Sequence, residues 1–230
     1  MSKFSVRQYD SITSGLKGVL IEFRALFFFY LIIFSICVFV FTISQVYPSL
    51  YTFLIASRST PWGVITSLSI HMDVNHLVTN LLGLFLFILV FCFTNFYLLH
   101  NEISGRVRFF IVLIMVATIL SNIFWIIIAN LGSIGASGLV YASEGGVTGF
   151  SLLNTWDLYH VVRHPKHGEA RGMLIVNLFV FLSVCAWMIF FTNSFLSYGR
   201  DVNILIHGSS FVLAFILAIE WENIRNHYNR

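Results

Sequence analysis

The chain has 230 residues, of which 58% are hydrophobic and 10% charged, with a mean hydropathy of +0.86. Soluble domains carry about 45–50% apolar and about 25% charged residues, and disordered chains are poorer still in apolar side chains, so both classes are excluded. A net charge of +3 is too small to indicate a nucleic-acid partner. The composition is that of an all-α polytopic membrane protein. Six spans of about 20 residues would take a little over half the chain and leave no room for a second folded unit.

In chain order, residues 1–24 form an N-terminal segment. Ile12, Leu16, Val19, Leu20 and Phe23 recur there at helical spacing beside Lys17 and Arg24, which suits a short interfacial helix or an unstructured lead-in. The first span is Ala25–Val46; 17 of the 19 residues 25–43 are apolar, too many for a signal-peptide core, and no small-residue cleavage site follows. The next are a long Val64–Phe93, Phe109–Ala129, a short Ser137–Leu153, Gly172–Phe191 and Val202–Trp221. Residues 25–222 thus form one transmembrane domain and 223–230 a tail. With these spans 11 of the 13 Lys and Arg residues fall on one side, in the N-terminal segment, at Arg106 and Arg108, at Arg163, Lys166 and Arg171, and in the tail. Only Arg58 and Arg200 fall on the other. By the positive-inside rule both termini are expected in the cytoplasm. Cys37, Cys92 and Cys185 lie in apolar runs, and their odd number argues against a disulfide framework or a zinc site.

Strongly polar residues inside spans are costly and usually face a cavity. In span two they are His71, Asp73, His76 and Asn80; in span four Ser137, flanked by Gly135 and Gly138, with Tyr141 and Glu144; in span six His207, Ser209 and Ser210. His76 and Asn80 are four apart and share a helix face, where they suit either stabilisation of a negative charge or a hydrogen-bonded contact between helices. The glycines around Ser137 suit close approach of a substrate to a helix N-terminus, or close helix packing. Span four covers roughly 24 Å of helix against about 30 Å of hydrocarbon, which places Ser137 below the outer surface. His207, His76 and Asn80 then share that layer from two other helices.

A serine needs a base to become a nucleophile, and histidine is a suitable one. A tetrahedral intermediate needs preorganised donors, which an imidazole, an Asn amide and backbone N–H groups can supply. A three-histidine zinc site from His71, His76 and His207 is the chemical rival. The five-position offset from His71 to His76 turns them about 140° apart on a helix, and no His-Glu-x-x-His motif occurs. No metal or other cofactor is expected.

At these residues the chain resembles the rhomboid intramembrane serine proteases. The resemblance runs from Trp62 to about Ala214 and rests on Trp62 with Thr66, His71, His76-x-x-x-Asn80, Gly135-x-Ser137-Gly138 with Tyr141-Ala142, and His207 opening the last span. It implies a six-helix bundle and a Ser–His dyad. Ser137 would be the nucleophile and His207 the general base and later acid; His76, Asn80 and the Ser137 N–H would form the oxyanion hole. Tyr141 would pack on the His207 ring, and His71 would help shape a water-accessible outer cavity. Residues Thr192–Asp201 would cap the site, and span five would flex to admit a single-span membrane protein from the lipid bilayer. An integral multi-pass protein of a prokaryotic plasma membrane is expected.

The chain also departs from the family pattern. Gly63 follows Trp62 where members often have Arg, and Ser210 and Ala214 stand where span six usually carries glycines. A non-catalytic member that binds membrane helices is the alternative, although such members typically lack the serine or the histidine. A transporter would show repeat symmetry and paired charges at mid-membrane, and neither is found. Asp201 is read as a helix N-terminal acid rather than a third catalytic member. Glu144 is read as a structural carboxyl or part of a proton path, Asp73 as a cap or hydrated loop residue, and His160, His164 and His167 as a solvated segment.

Overall fold

The structure, a computed structural model, describes residues 21, 23–98, 100–129, 132–162, 168–190 and 204–221. The expectations for the N-terminal helix, the capping segment 192–201 with Asp201, His164 and His167, and the tail 223–230 lie outside the described residues. The described chain is all-α: α1 (Arg24–Val46), α2 (Ser49–Leu54), α3 (Gly63–Thr66) running into a 3-10 turn (Ser67–Ser69), α4 (Val74–Asn95), α5 (His100–Ala129), α6 (Ser137–Val162), α7 (Gly168–Phe190) and α8 (Ile204–Ile219). Four helical stretches among the described residues are long and apolar enough to cross a membrane, Arg24–Val46, Val74–Asn95, Glu102–Ile128 and Ala170–Ile189, and Leu205–Ile219 is a shorter apolar helix.

Several expected spans are corrected. The run Val64–Phe93 is not one helix: it breaks after Ser69, and α4 begins only at Val74. Hydropathy cannot see this break, because Ile70 is buried like a span residue while its backbone is extended (φ −91°, ψ 134°). The helix expected to be short, Ser137–Leu153, has 26 residues and runs on through Asn154, Thr155 and Asp157 to Val162. The inference of depth from a short helix therefore falls. Arg106, read as a loop charge, lies within α5 and is 2% exposed.

α6 occupies the centre and packs against α4, α5, α7 and α8. Every residue from Ala142 to Ser151 is buried. Its small side chains make this possible. A Cβ on Gly145 would lie 2.2 Å from the Phe211 carbonyl oxygen, and one on Gly149 2.7 Å from Ala218 Cβ, both on α8. The close approach to the last helix that the resemblance assigns to glycines at 210 and 214 is therefore supplied from the facing helix, by a Gly-x-x-x-Gly pair. Ser210 and Ala214 are fully buried in that seam.

Aromatic contacts and polar groups hold the end of the bundle far from Ser137. The Phe91 ring of α4 stacks on Phe110 of α5 at 4.1 Å, and Phe150 of α6 meets Phe91 edge-on at 5.5 Å. Beneath them Arg106 donates to the Asn95 side-chain oxygen (3.0 Å) and to that of Asn154, with its guanidinium 5.4 Å over the Phe150 ring. Asn154 Nδ2 donates to the Thr94 carbonyl (2.9 Å) and to Asn177 Oδ1 on α7 (3.1 Å). Asn154, at the start of the polar tail of α6, is thus hydrogen-bonded within this cluster.

Loop one, residues 47–73, is held by its own bonds. Thr60 Oγ1 donates to Ile55 O (2.5 Å), Trp62 Nε1 to Phe53 O (2.8 Å) and Thr66 Oγ1 to Leu54 O (2.9 Å). Arg58 donates to the last-turn carbonyls of α5, Ile126 (3.3 Å) and Ile127 (2.8 Å), where a cation also meets the negative helix end. Gly63 has no room for any side chain, since a Cβ would sit 2.1 Å from Ile55 O.

The α6–α8 seam gives the first prediction. Gly145→Ala should destabilise the protein by about 1–3 kcal/mol through overpacking against backbone. Gly172→Ala, where nothing lies within 4 Å, should be neutral or better. Thermal unfolding of both variants in detergent checks the contrast.

Candidate active site

The site is assembled where α4 and α6 begin and α8 starts. Ser137 is the first residue of α6. Ahead of it Gly135 adopts φ +96°, a conformation that glycine takes without strain, and this turns the chain into the helix. The N–H groups of the first helical turn lack intrahelical acceptors, and the Ser137 N–H makes no backbone hydrogen bond among the described residues.

On α8, His207 comes within hydrogen-bond range: Nε2 lies 2.9 Å from Ser137 Oγ. The Tyr141 ring, one turn along α6 from Ser137, stacks on the His207 ring with centroids 4.1 Å apart and planes at 29°. His207 is 8% exposed and its Nδ1 makes no hydrogen bond among the described residues. Among the described residues the imidazole is oriented by an aromatic face.

The third wall is α4. Asp73 is its N-cap: its carboxylate accepts from the His76 N–H (2.8 Å), satisfying an orphan donor of the first turn. This cap fixes where His76 leaves the helix, and Asn80 follows one turn on. Both side chains lie against Gly135. A Cβ there would be 2.7 Å from His76 Cε1, 2.9 Å from its Nε2 and 3.5 Å from Asn80 Nδ2. The Asn80 amide nitrogen is buried and makes no hydrogen bond among the described residues. A buried donor left unpaired costs about 1–3 kcal/mol and asks for a reason; an anion formed beside Ser137 would supply one.

His71 lies apart from this wall. It precedes α4 rather than sharing a helix with His76, and the two rings meet edge-on at 5.2 Å. The helical-angle reasoning applied to that pair is therefore corrected. His71 is 2% exposed and its Nε2 accepts from the Ala136 N–H (3.4 Å). Nδ1 then carries the proton and faces Ser69 O (3.4 Å). Burial, and after it the neighbouring His76, lower the His71 pKa to about 4, which keeps the ring neutral and Nε2 an acceptor. Among the described residues no three His, Cys, Asp or Glu side chains are placed to hold one metal ion.

Gly138 packs against α5 and α8: a Cβ would lie 2.7 Å from Thr118 Cγ2 and 3.6 Å from Ser210 Oγ. Glu144 is 3% exposed two turns further along α6. Two polar residues near the site were not singled out from the sequence, Asn122 and Ser133, which bond each other (3.3 Å). An asparagine inside the apolar run 109–129 is itself a signal of a functional or packing role, and it was legible there.

A serine and a histidine from two helices within hydrogen-bond distance, beside an Asn80 amide and a His76 ring nitrogen that are unpaired among the described residues, make a polar site in an apolar helical bundle. Residues 58–220 match the rhomboid domain, and the chain belongs to that family. Comparison with curated proteins gives no match.

The neutral His71 gives the second prediction. The unfolded chain binds a proton near the ordinary histidine pKa of about 6.5, and the folded chain only near 4. Between those values the unfolded state holds more protons, so this contribution to stability falls as pH is lowered from about 6.5 to about 4. His71→Gln should flatten the dependence of the unfolding midpoint on pH across that window.

Proposed function

We propose that the protein is an intramembrane serine endopeptidase that cuts single-span membrane proteins near the outer membrane face. The observation that carries this reading is the 2.9 Å approach of His207 Nε2 to Ser137 Oγ, made by residues seventy positions apart. In this mechanism Nε2 takes the hydroxyl proton as Oγ bonds to the scissile carbonyl carbon. The oxyanion is held by His76, Asn80 and the Ser137 N–H. Collapse of the intermediate breaks the C–N bond, and His207 returns the proton to the leaving amine. Water, deprotonated by His207, then attacks the acyl-enzyme and frees Ser137 with a carboxylate product. Tyr141 keeps the ring in line, Gly135 leaves space for the α4 side chains, and Gly138 lets α6 sit close to its neighbours.

Membrane topology belongs to the same reading. Six spans are proposed, built on α1, α4, α5, α6, α7 and α8, with both termini in the cytoplasm of a prokaryote. The alternating direction of the helices supports it: α4 and α6 begin at the Ser137 end, whereas α5 and α7 begin at the Arg106 end. α6 is less apolar than its neighbours because protein, not lipid, surrounds it. A substrate helix hides its carbonyls in hydrogen bonds, so its scissile segment must unwind into the polar site before attack.

Cleavage of a labelled single-span substrate by purified protein tests the proposal. Ser137→Ala and His207→Ala should each lower the rate by roughly a thousandfold or more. Asn80→Ala and His76→Ala should each lower kcat by about a hundredfold or more through loss of oxyanion donors. Full activity in Ser137→Ala or His207→Ala would overturn it.

A further inference from the structure

The short segment Gly132–Ala136 that delivers Ser137 to its helix is held by loop one. Ser133 pairs with Ala56 through two backbone bonds (Ala56 N–H to Ser133 O 3.1 Å, Ser133 N–H to Ala56 O 2.9 Å), and the Gly135 N–H donates to Ser67 O (2.9 Å). The Ala136 N–H goes to His71 Nε2. One side chain ties this layer to the bundle behind it. Asn122 of α5 is 2% exposed; its Nδ2 donates to Val64 O in loop one (2.9 Å) and its Oδ1 accepts from Ser133 Oγ (3.3 Å). A primary amide donates and accepts from opposite ends of one planar group, so Asn122 fixes the spacing between α5, loop one and the serine segment at once.

We propose that Asn122 is a positioning residue for the reaction, acting through Ser133 to set where Ser137 and Gly135 stand relative to His207, His76 and Asn80. The proposal rests on the reading of Ser137 as nucleophile. Ser133 is four residues before Ser137, joined by a segment whose N–H groups at 133, 135 and 136 are all committed to loop one. A shift at Ser133 is therefore passed on rather than absorbed. It would move Ser137 Oγ away from a 2.9 Å contact, and displacements of about 1 Å in such geometry cost roughly a hundredfold in rate. Neither Asn122 nor Ser133 needs to touch substrate, so substrate binding is left as it was.

The test measures kcat, KM and the rate of fluorophosphonate labelling of Ser137, well below the unfolding temperature, in the full-length protein and in Asn122→Leu, Ser133→Ala and the double variant. Asn122→Leu should lower kcat and labelling together by roughly ten- to a hundredfold, with KM within about twofold. Ser133→Ala, a milder change that keeps the reading open if Asn122→Leu does not fold, should lower them by roughly three- to tenfold. The double variant should be no slower than Asn122→Leu, because both changes remove the same bond. Asn177→Leu, in the polar cluster at the far end, should lower the unfolding temperature and leave kcat unchanged. Unchanged kcat and labelling in Ser133→Ala, or fully additive losses in the double variant, would overturn the positioning role while labelling of the unsubstituted protein upheld Ser137. Absence of both labelling and cleavage in the unsubstituted protein would overturn the nucleophile reading and this role with it.

Discussion

How near α8 can come to α6 decides whether the site exists. A hydrogen bond tolerates only a few tenths of an ångström, and the one between His207 and Ser137 spans two helices with no covalent link for seventy residues. Lipid offers no hydrophobic drive to press helices together, so their separation is set by contact between backbones and small side chains. Gly145 and Gly149 set it here, with the Phe211 and Phe215 carbonyl oxygens seated where a Cβ would otherwise be. Tyr141 converts that proximity into orientation, because its ring lies flat on the imidazole. Distance comes from the glycines and angle from the tyrosine.

The two ends of the bundle treat their asparagine amides differently. Around Arg106, asparagine amides from α4, α6 and α7 exchange hydrogen bonds with one another and with backbone, which makes that end a rigid joint of four helices. At the Ser137 end, Asn80 Nδ2 and the Nδ1 atoms of His76 and His207 are buried and make no hydrogen bond among the described residues. Each such group opposes folding by about 1–3 kcal/mol, and the satisfied network and aromatic stack at the other end offset it. On the proposed mechanism, the donors left unpaired at the Ser137 end are available for a charge that forms only during reaction.

Part of this was legible in the residues: the shared face of His76 and Asn80 follows from their spacing, Ser137 was expected to open span four, and the place of Tyr141 beside His207 was what the resemblance implied. Hydropathy misled where it was asked to define helix ends. It ran span two through the non-helical residues 70–73 and stopped span four at Leu153, because burial against protein and burial in lipid look the same in composition, while polar helix tails look like loops. Arg106 was taken for a loop charge for the same reason: a cation folded into an asparagine cluster leaves no local mark. The Gly145–Gly149 pair was visible as Gly-x-x-x-Gly, but attention to the equivalent positions on the last span hid it. The bonds from loop one to Ser133 and Gly135 could not have been read at all, since they join main-chain groups.

Those main-chain bonds also account for the departure at Gly63. Any side chain at 63 would need space that Ile55 O occupies, so the loop folds closely onto itself there, and Arg58 grips the end of α5. The tightness has a consequence for the site. With Ala56 brought down beside Gly63, its backbone is in reach of Ser133, and with Ser67 in a 3-10 turn its carbonyl is in reach of Gly135. A bulkier residue at 63 would lift the Ile55–Ala56 backbone and loosen the segment that carries the serine. The side chain missing from loop one is thus part of what holds Ser137 in place.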